Sequence, residues 1–232
     1  MKVNGRIFSE EFFRTRNFSG QIGDLLTMKR FPDLTLISIG HNNVDWAWRC
    51  VPAELEQPDN RLQQLSRRFR EDFAREMRRL IGRACTQRHR IAIVVYGLVN
   101  FESYFRGREI AERLRAKDAS RYPHLQTTYK YLRSFRPAYR ANLIRLAGMV
   151  NEELRAMVSD LNGELAENSN MHLQYSDALA TADLSRVELL HPIDGWHASV
   201  EGHNVLAEAA FRDLGPSLEF LGIQSAQSNS RN

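Results

Sequence analysis

The chain has 232 residues, 43% of them hydrophobic and 26% charged, which is enough apolar material for the core of one α/β domain or two small ones. The net charge is only +4, and the sequence lacks a Lys/Arg block or a nucleic-acid-binding motif, so binding to nucleic acid is not predicted. Two cysteines exclude a disulfide framework, and no apolar run reaches the ~18 residues of a membrane span.

The basic side chains are nearly all arginine, which is typical of a GC-rich bacterial genome.

The two ends of the sequence carry no recognisable targeting or folding motif. Residues 1–11 are polar and lack the apolar segment of a signal peptide, so none is predicted and the location stays open between cytoplasm and export. The Ser-, Asn- and Gln-rich residues 224–232 predict a disordered tail, which leaves residues 1–223 as a single predicted domain.

Three short runs rich in apolar and β-branched residues predict strands. Leu34–Ile39 ends at Gly40, Ile91–Tyr96 ends at Gly97, and residues 171–175 form a weaker third run. Near-continuous apolar runs of this length are typical of strands that are buried on both faces of a parallel sheet.

Apolar residues at helical spacing predict one long helix after each strand. The first helix is expected from Pro58 to about Gly82, and the second from Pro137 to a C-cap at Gly163. The third is expected from an N-cap at Ser199 to Leu214, and Gly215-Pro216 ends it. Strands that alternate with helices in this way predict a three-layer α/β/α sandwich with a parallel, flavodoxin-like sheet and right-handed crossovers.

The stretch of residues 100–136 is long for a connection inside an α/β domain and is rich in aromatic side chains. One interpretation is an aromatic lid or substrate wall over the strand ends, where ligands of such sheets bind. The other is a pair of short helices that pack their aromatic side chains into the domain. The sequence does not separate the two.

Asp194 stands three residues before His197, on a turn that leads into the last long helix. A carboxylate in this position can accept a hydrogen bond from Nδ1 of the imidazole, which leaves Nε2 facing a nucleophile as a general base. By themselves, the two residues are more typical of a solvated surface pair than of a catalytic one.

The sequence around these residues resembles the last conserved block of the SGNH/GDSL ester hydrolases, because residues 191–208 read HPIDGWHASVEGHNVLAE. The resemblance implies that Asp194 and His197 are members of a catalytic triad and that His203 is an ordinary helix residue. Residues 32–43, PDLTLISIGHNN, resemble a second block, which implies that the Asn42 amide is an oxyanion-hole donor. Here Asn43 stands where the family has Asp.

Residues 17–26, NFSGQIGDLL, resemble a further block and imply that the backbone N–H of Gly20 is another oxyanion donor. The family's opening block, a strand that leads to a nucleophilic Gly-Asp-Ser, is not found in the sequence, so the nucleophile is left unassigned. Three explanations stay open. The start of the chain is lost, or residues around Val3, Ile7 and Phe8 rebuild the strand in an inactive relative, or a partner chain supplies it.

The expected function is hydrolysis of a small-molecule carboxylic ester, such as an acyl ester, an acetylated sugar or a lipid, without a cofactor. A catalytically inactive binding scaffold is the first alternative. A metal-dependent hydrolase is the second, because four metal-capable side chains lie close together in the sequence: His191, Asp194, His197 and His203. No metal is predicted, because these residues lack the i, i+4 spacing of a helical zinc pair.

Overall fold

The computed structural model describes residues 2–3, 6–7, 18–41, 58–125, 137–165, 170–193, 195 and 197–223. Its centre is a parallel sheet of three strands, β3 (Leu34–Ile37), β4 (Ile91–Tyr96) and β5 (Met171–Ser176), in the order β3-β4-β5. Leu34 lies opposite Ala92, and Ile91 lies opposite Met171. The predicted parallel sheet is therefore confirmed, although β3 ends two residues earlier than predicted.

Helices precede or follow each of these strands. In chain order they are α1 (Phe18–Thr27), α2 (Pro58–Ala84), α3 (Phe101–Lys117), α4 (Pro137–Glu164), α5 (Ala178–Thr181), a 3₁₀ turn (Val187–Leu189), α6 (Val200–Arg212) and α7 (Gly215–Phe220). None of the helices among these residues is long and apolar enough to cross a membrane.

The two faces of β4 are covered by different helices, because successive side chains of a strand point to opposite faces. Ile93 and Val95 belong to a core that includes side chains of α2 and α4. Val94 and Tyr96 face a smaller core that includes Leu214 and Leu218, beside α6 and on α7. Every residue of β4 is buried. The chain is thus a three-layer α/β/α sandwich, as the sequence predicts.

One predicted helix end is wrong, because Gly163 is not a C-cap but lies in the last turn of α4, which continues to Glu164. The predicted stop before Gly215-Pro216 is confirmed, since α6 ends at Arg212. Gly215 then begins α7, where Pro216 is tolerated because the first-turn N–H groups have no intrahelical acceptor. Residues 224–232, the predicted disordered tail, lie outside the described residues.

The aromatic stretch contains a 17-residue helix, α3, in which Phe101, Tyr104 and Phe105 are buried. The structure therefore favours the interpretation in which these three rings pack into the domain over the one in which they line an open wall. Residues 126–136 of the stretch lie outside the described residues.

The N-terminal residues do not rebuild a strand of the parallel sheet where they are described. β1 (Lys2–Val3) and β2 (Arg6–Ile7) pair with each other, antiparallel, in a sheet of their own. Phe8 lies outside the described residues. Among the described strands β3 lies at an edge of the parallel sheet, and the side chain of Leu36 on it is 50% exposed.

Candidate active site

The segment that carries the predicted triad residues is a closed turn of residues 189–199, here called the histidine turn. The His191 N–H donates to the His197 carbonyl oxygen at 2.7 Å, and the Ser199 N–H donates to the Leu189 carbonyl oxygen at 2.8 Å. Leu190 and Ala198 form an antiparallel bridge between these bonds. The backbone at both ends of the turn is thereby fixed, while the His197 side chain is exposed. Asp194 and Trp196 lie outside the described residues.

Gly195 holds the histidine turn against helix α3. Its φ of +57° lies in the left-handed region that favours glycine, and its N–H donates to the His191 carbonyl oxygen at 2.8 Å. A Cβ on this residue would lie 2.5 Å from Cδ1 of Leu125 and 3.8 Å from Cβ of Ala111. Glycine is therefore favoured here by conformation, and an added Cβ would also require the Leu125 side chain to shift.

The turn ends in a capped helix. The Ser199 hydroxyl accepts a hydrogen bond from the Gly202 N–H at 3.1 Å and donates to the Glu188 carbonyl oxygen at 2.7 Å, which confirms Ser199 as the N-cap of α6. A Cβ on Gly202 would overlap the Leu189 carbonyl oxygen. The two glycines of the motif thus serve the packing of the turn rather than its chemistry.

The segment that leads to Asn42 turns sharply after β3. Gly40 has a φ of +118°, and a Cβ there would lie 2.7 Å from Cζ of Phe69 on α2. The next residue, His41, is half-buried and accepts a hydrogen bond from the Val99 N–H on its Nε2 at 2.9 Å. Asn42 itself lies outside the described residues. The sequence interpretation did not single out His41, whose only local signal is its place between a glycine and a predicted oxyanion donor.

Burial lowers the pKa of His41 to about 4, so the imidazole is neutral near pH 7. Because Nε2 accepts the Val99 N–H, the proton of the neutral ring lies on Nδ1. This side chain is therefore a hydrogen-bond acceptor in one defined tautomer.

Four consecutive N–H groups, those of residues 97–100, continue β4 beyond its last paired residue and donate to four different segments. The acceptors, in chain order, are the Ser176 carbonyl at 2.8 Å, Asn151 Oδ1 at 2.7 Å, His41 Nε2 at 2.9 Å and the Leu179 carbonyl at 3.2 Å. The backbone after the carboxyl end of β4 is thus held by four hydrogen bonds, one of which binds it to the segment after β3.

Gly20 lies in the first turn of α1. This end of α1 packs on α2, where the rings of Phe18 and Phe73 stack with centroids 4.3 Å apart. Phe73 is one helical turn beyond Phe69, the residue that packs against Gly40. The structure therefore brings the segment with Gly20 and the segment that leads to Asn42 onto neighbouring turns of one helix.

The histidine turn contacts helix α3 at a different point from the segment that carries His41. His41 lies beside the first residue of α3, with 6.3 Å between its ring centroid and that of Phe101. Gly195 packs against Ala111, ten residues later on the same helix, and ten residues of α-helix span about 15 Å. His41 and Gly195, which are described residues next to the two halves of the predicted site, thus contact α3 at points about 15 Å apart along its axis.

The serines that are described near these segments have structural contacts. The hydroxyl of Ser19 accepts a hydrogen bond from Nη1 of Arg79 at 3.3 Å, and that of Ser199 caps α6. Ser9 lies outside the described residues. Neither Ser19 nor Ser199 is placed on a turn between a strand and the following helix, where a nucleophilic serine is expected.

The metal-dependent alternative rests on His191, Asp194, His197 and His203. His203 is exposed on α6, and His191 closes the turn through its backbone. Within the described part of the chain, which does not include Asp194, His, Cys, Asp and Glu side chains form no group of three or more that could hold a metal ion.

Comparison with protein families matches residues 14–210 to the GDSL-like lipase/acylhydrolase family. The match covers well over half of the chain and includes Gly20, Asn42, Asp194 and His197. No curated protein and no solved structure matches the chain. The chain therefore belongs to the GDSL-like lipase/acylhydrolase family, a family of ester hydrolases.

Proposed function

We propose that the protein hydrolyses a small-molecule carboxylic ester through a serine mechanism in which Asp194 and His197 form the acid–base pair. The observation that carries this proposal is the family match over residues 14–210, which spans both halves of the predicted site. A histidine turn with a fixed backbone and an exposed imidazole supports it, because a general base has to be held in place and yet reach the substrate.

In the proposed reaction, a serine hydroxyl attacks the ester carbonyl carbon while His197 Nε2 takes the hydroxyl proton. The carbonyl oxygen becomes an oxyanion, to which the Gly20 N–H and the Asn42 amide donate hydrogen bonds. Collapse of this intermediate expels the alcohol, which receives the proton from His197. Water then attacks the acyl-serine in the same way and releases the acid and the free serine.

The substrate is proposed as a class only. The rings of Phe101, Tyr104 and Phe105 are buried in the domain, so they are not available to stack on a sugar or to line a lipid channel. Acyl esters of moderate size are therefore the first compounds to test. A single domain that spans residues 1–223 is part of the same proposal.

The alternative of a binding scaffold without catalysis is favoured by one sequence fact, namely that no Gly-Asp-Ser occurs in the 232 residues. The two candidates differ in a direct experiment. The purified chain is assayed with p-nitrophenyl acetate, butyrate and octanoate, and is treated separately with a fluorophosphonate–biotin probe.

An active serine enzyme turns over at least one ester and is labelled by the probe, and peptide mapping of the labelled protein identifies the nucleophile. Heat-denatured protein is the control for non-specific labelling. A chain that is folded by circular dichroism but shows neither turnover nor labelling supports the scaffold. If a chelator abolishes the turnover and the probe labels no serine, the metal-dependent alternative is supported.

A further inference from the structure

We propose that Arg115 is a positioning residue for His197, because its guanidinium holds the loop of residues 118–125 on which the histidine turn packs. This loop, here called the α3 loop, follows helix α3 directly. The inference rests on the proposed function, since it assigns Arg115 a role through the proposed general base. The observation that carries it is the hydrogen bond from Arg115 Nη1 to the Tyr122 carbonyl oxygen at 2.6 Å.

Arg115 lies in the last turn of α3, and its side chain extends past the end of the helix. Besides the short bond to Tyr122, Nη1 makes longer contacts with the carbonyl oxygens of Ala119 at 3.4 Å and Arg121 at 3.3 Å. Arginines near a helix C-terminus often bind the last carbonyls of their own helix. The carbonyls that Arg115 contacts all belong to the α3 loop instead, so this side chain joins the loop to the helix before it.

The backbone of Tyr122 has a conformation that needs support from its surroundings. Its φ is +50°, in the left-handed region that residues with large side chains seldom adopt. In this conformation the Tyr122 carbonyl oxygen accepts two hydrogen bonds, one from Arg115 Nη1 and one from the Leu125 N–H at 2.9 Å. Such a backbone persists only where neighbouring groups hold it, and Arg115 provides the shorter of the two bonds.

The α3 loop contacts the histidine turn through one hydrogen bond and two side chains. The His124 N–H donates to the Ile193 carbonyl oxygen at 3.0 Å. The Cδ1 atoms of Leu125 and Tyr122 lie 2.5 Å and 3.5 Å from the place that a Cβ on Gly195 would take. Leu125 is only 3% exposed, so its contact with the turn is buried. The loop therefore supports the middle of the turn, at Ile193 and Gly195.

Backbone hydrogen bonds within the turn connect this support to His197. The Gly195 N–H donates to the His191 carbonyl oxygen at 2.8 Å, and the His191 N–H donates to the His197 carbonyl oxygen at 2.7 Å. A continuous series of contacts thus runs from Arg115 through the α3 loop to the main chain of His197. Because a displacement of about 1 Å at a catalytic group can lower the rate about a hundredfold, loss of the Arg115 bonds should be visible in catalysis.

The first experiment tests the support of the turn without reference to activity. Arg115→Met removes the hydrogen-bond donors and keeps an unbranched side chain, whereas Arg115→Lys keeps a cationic donor. Hydrogen–deuterium exchange is measured for the N–H groups of residues 189–199, which form the histidine turn. We expect Arg115→Met to speed exchange in this segment at least about tenfold, because the turn opens more often when the loop is released. Arg115→Lys should keep most of the protection.

Arg140→Met is the matched control for a general loss of stability. Arg140 on α4 also binds helix α3, because it donates to Glu109 Oε1 at 2.8 Å and to Glu112 Oε1 at 2.9 Å. We expect this variant to lower the melting temperature, but to change kcat and the exchange of residues 189–199 by less than about twofold. Equal acceleration of exchange in the Arg140 and Arg115 variants would mean that the turn depends on overall stability, and it would overturn the inference.

The second experiment measures kinetics on the best p-nitrophenyl ester, with Arg115→Met alone and in combination with His197→Ala. We expect Arg115→Met to lower kcat at least about tenfold with little change in KM, because a displaced base affects proton transfer more than substrate binding. Arg115→Lys should recover most of that loss. If Arg115 acts through His197, adding Arg115→Met to His197→Ala changes the residual kcat by less than about twofold.

The outcomes distinguish this inference from the proposed function. If His197→Ala keeps kcat, the general base is wrong and the role of Arg115 is overturned with it. If His197→Ala lowers kcat but Arg115→Met does not, or if the two losses multiply, only the role of Arg115 is overturned. Should Arg115→Met fail to fold, Leu125→Ala decides, because it removes the contact with Gly195 and leaves the Arg115 hydrogen bonds in place. It should speed exchange and lower kcat in the same way, and no change in either would overturn the inference.

Discussion

The N–H of His191 donates to the carbonyl oxygen of His197 at 2.7 Å, and this bond closes the part of the motif, residues 191–197, that carries the predicted acid–base pair. This backbone hydrogen bond holds the main chain of His197 in place without any contribution from the imidazole. Because the imidazole is exposed, it can meet a substrate without any rearrangement of the turn that holds it.

We expect His197→Ala to lower kcat by about a thousandfold or more, because the variant has no group to take and return the serine proton. His203→Ala is the matched control, since His203 is also exposed and lies six residues later on α6. It should keep kcat within about twofold. Both variants are assayed on the best p-nitrophenyl ester, and their melting temperatures are compared. A loss of less than tenfold in His197→Ala would remove this residue from the mechanism.

A second prediction concerns the glycine of the histidine turn. Gly195→Ala places a Cβ at a φ of +57° and 2.5 Å from Cδ1 of Leu125, so both strain and overlap destabilise the variant. We expect the free energy of unfolding to fall by about 1–3 kcal/mol, measured by urea denaturation. Gly163→Ala is the control.

Gly163 lies in the last turn of α4, exposed, with nothing within 4 Å of an added Cβ. Alanine has the higher helix propensity, so Gly163→Ala should raise the free energy of unfolding, by up to about 0.5 kcal/mol because the position is close to the helix end. Opposite signs for the two Gly→Ala changes are the expected result. Equal effects would mean that the turn does not depend on the conformation of Gly195.

The elements with a strong repeating pattern were predictable from the sequence. Strand β4 matches its predicted limits, Ile91–Tyr96, because a run that is buried on both faces leaves a continuous apolar signal. The end of α4 was not predictable in the same way. A glycine near the end of an apolar stripe predicts a C-cap, whereas the structure shows that Gly163 is still helical and that α4 ends at Glu164.

The candidate site was predictable only in its motif residues. The resemblance singled out the segment around His197, and the structure adds the reason for its glycines, which is close packing against Leu125 and the Leu189 carbonyl oxygen. The contact between His41 and Val99 was beyond the sequence, because it joins residues 58 positions apart and follows no local period. Sequence patterns report local spacing, whereas such a contact depends on how two strands end side by side.

The cap of the last long helix gives a third prediction. Ser199→Ala removes the acceptor for the Gly202 N–H and the hydroxyl that donates to the Glu188 carbonyl oxygen. We expect the free energy of unfolding to fall by about 1–2 kcal/mol. Ser159→Ala, at an exposed position inside α4, is the control and should change it by less than about 0.5 kcal/mol. If both variants are equally stable, the cap contributes nothing to the turn.

The last prediction follows from the burial of His41, which lowers its pKa from 6.5 to about 4. Between these two pH values the unfolded chain binds a proton at this ring and the folded chain does not, so acid stabilises the unfolded state. The free energy of unfolding should therefore fall as the pH drops from about 6.5 towards 4, by about 3 kcal/mol from this residue alone. Urea denaturation of the wild type and of His41→Gln at pH 7 and pH 4.5 measures the effect. Glutamine has no proton to bind in this range, so the variant should lose less stability on acidification, and equal losses would show that the imidazole is not buried as a neutral acceptor.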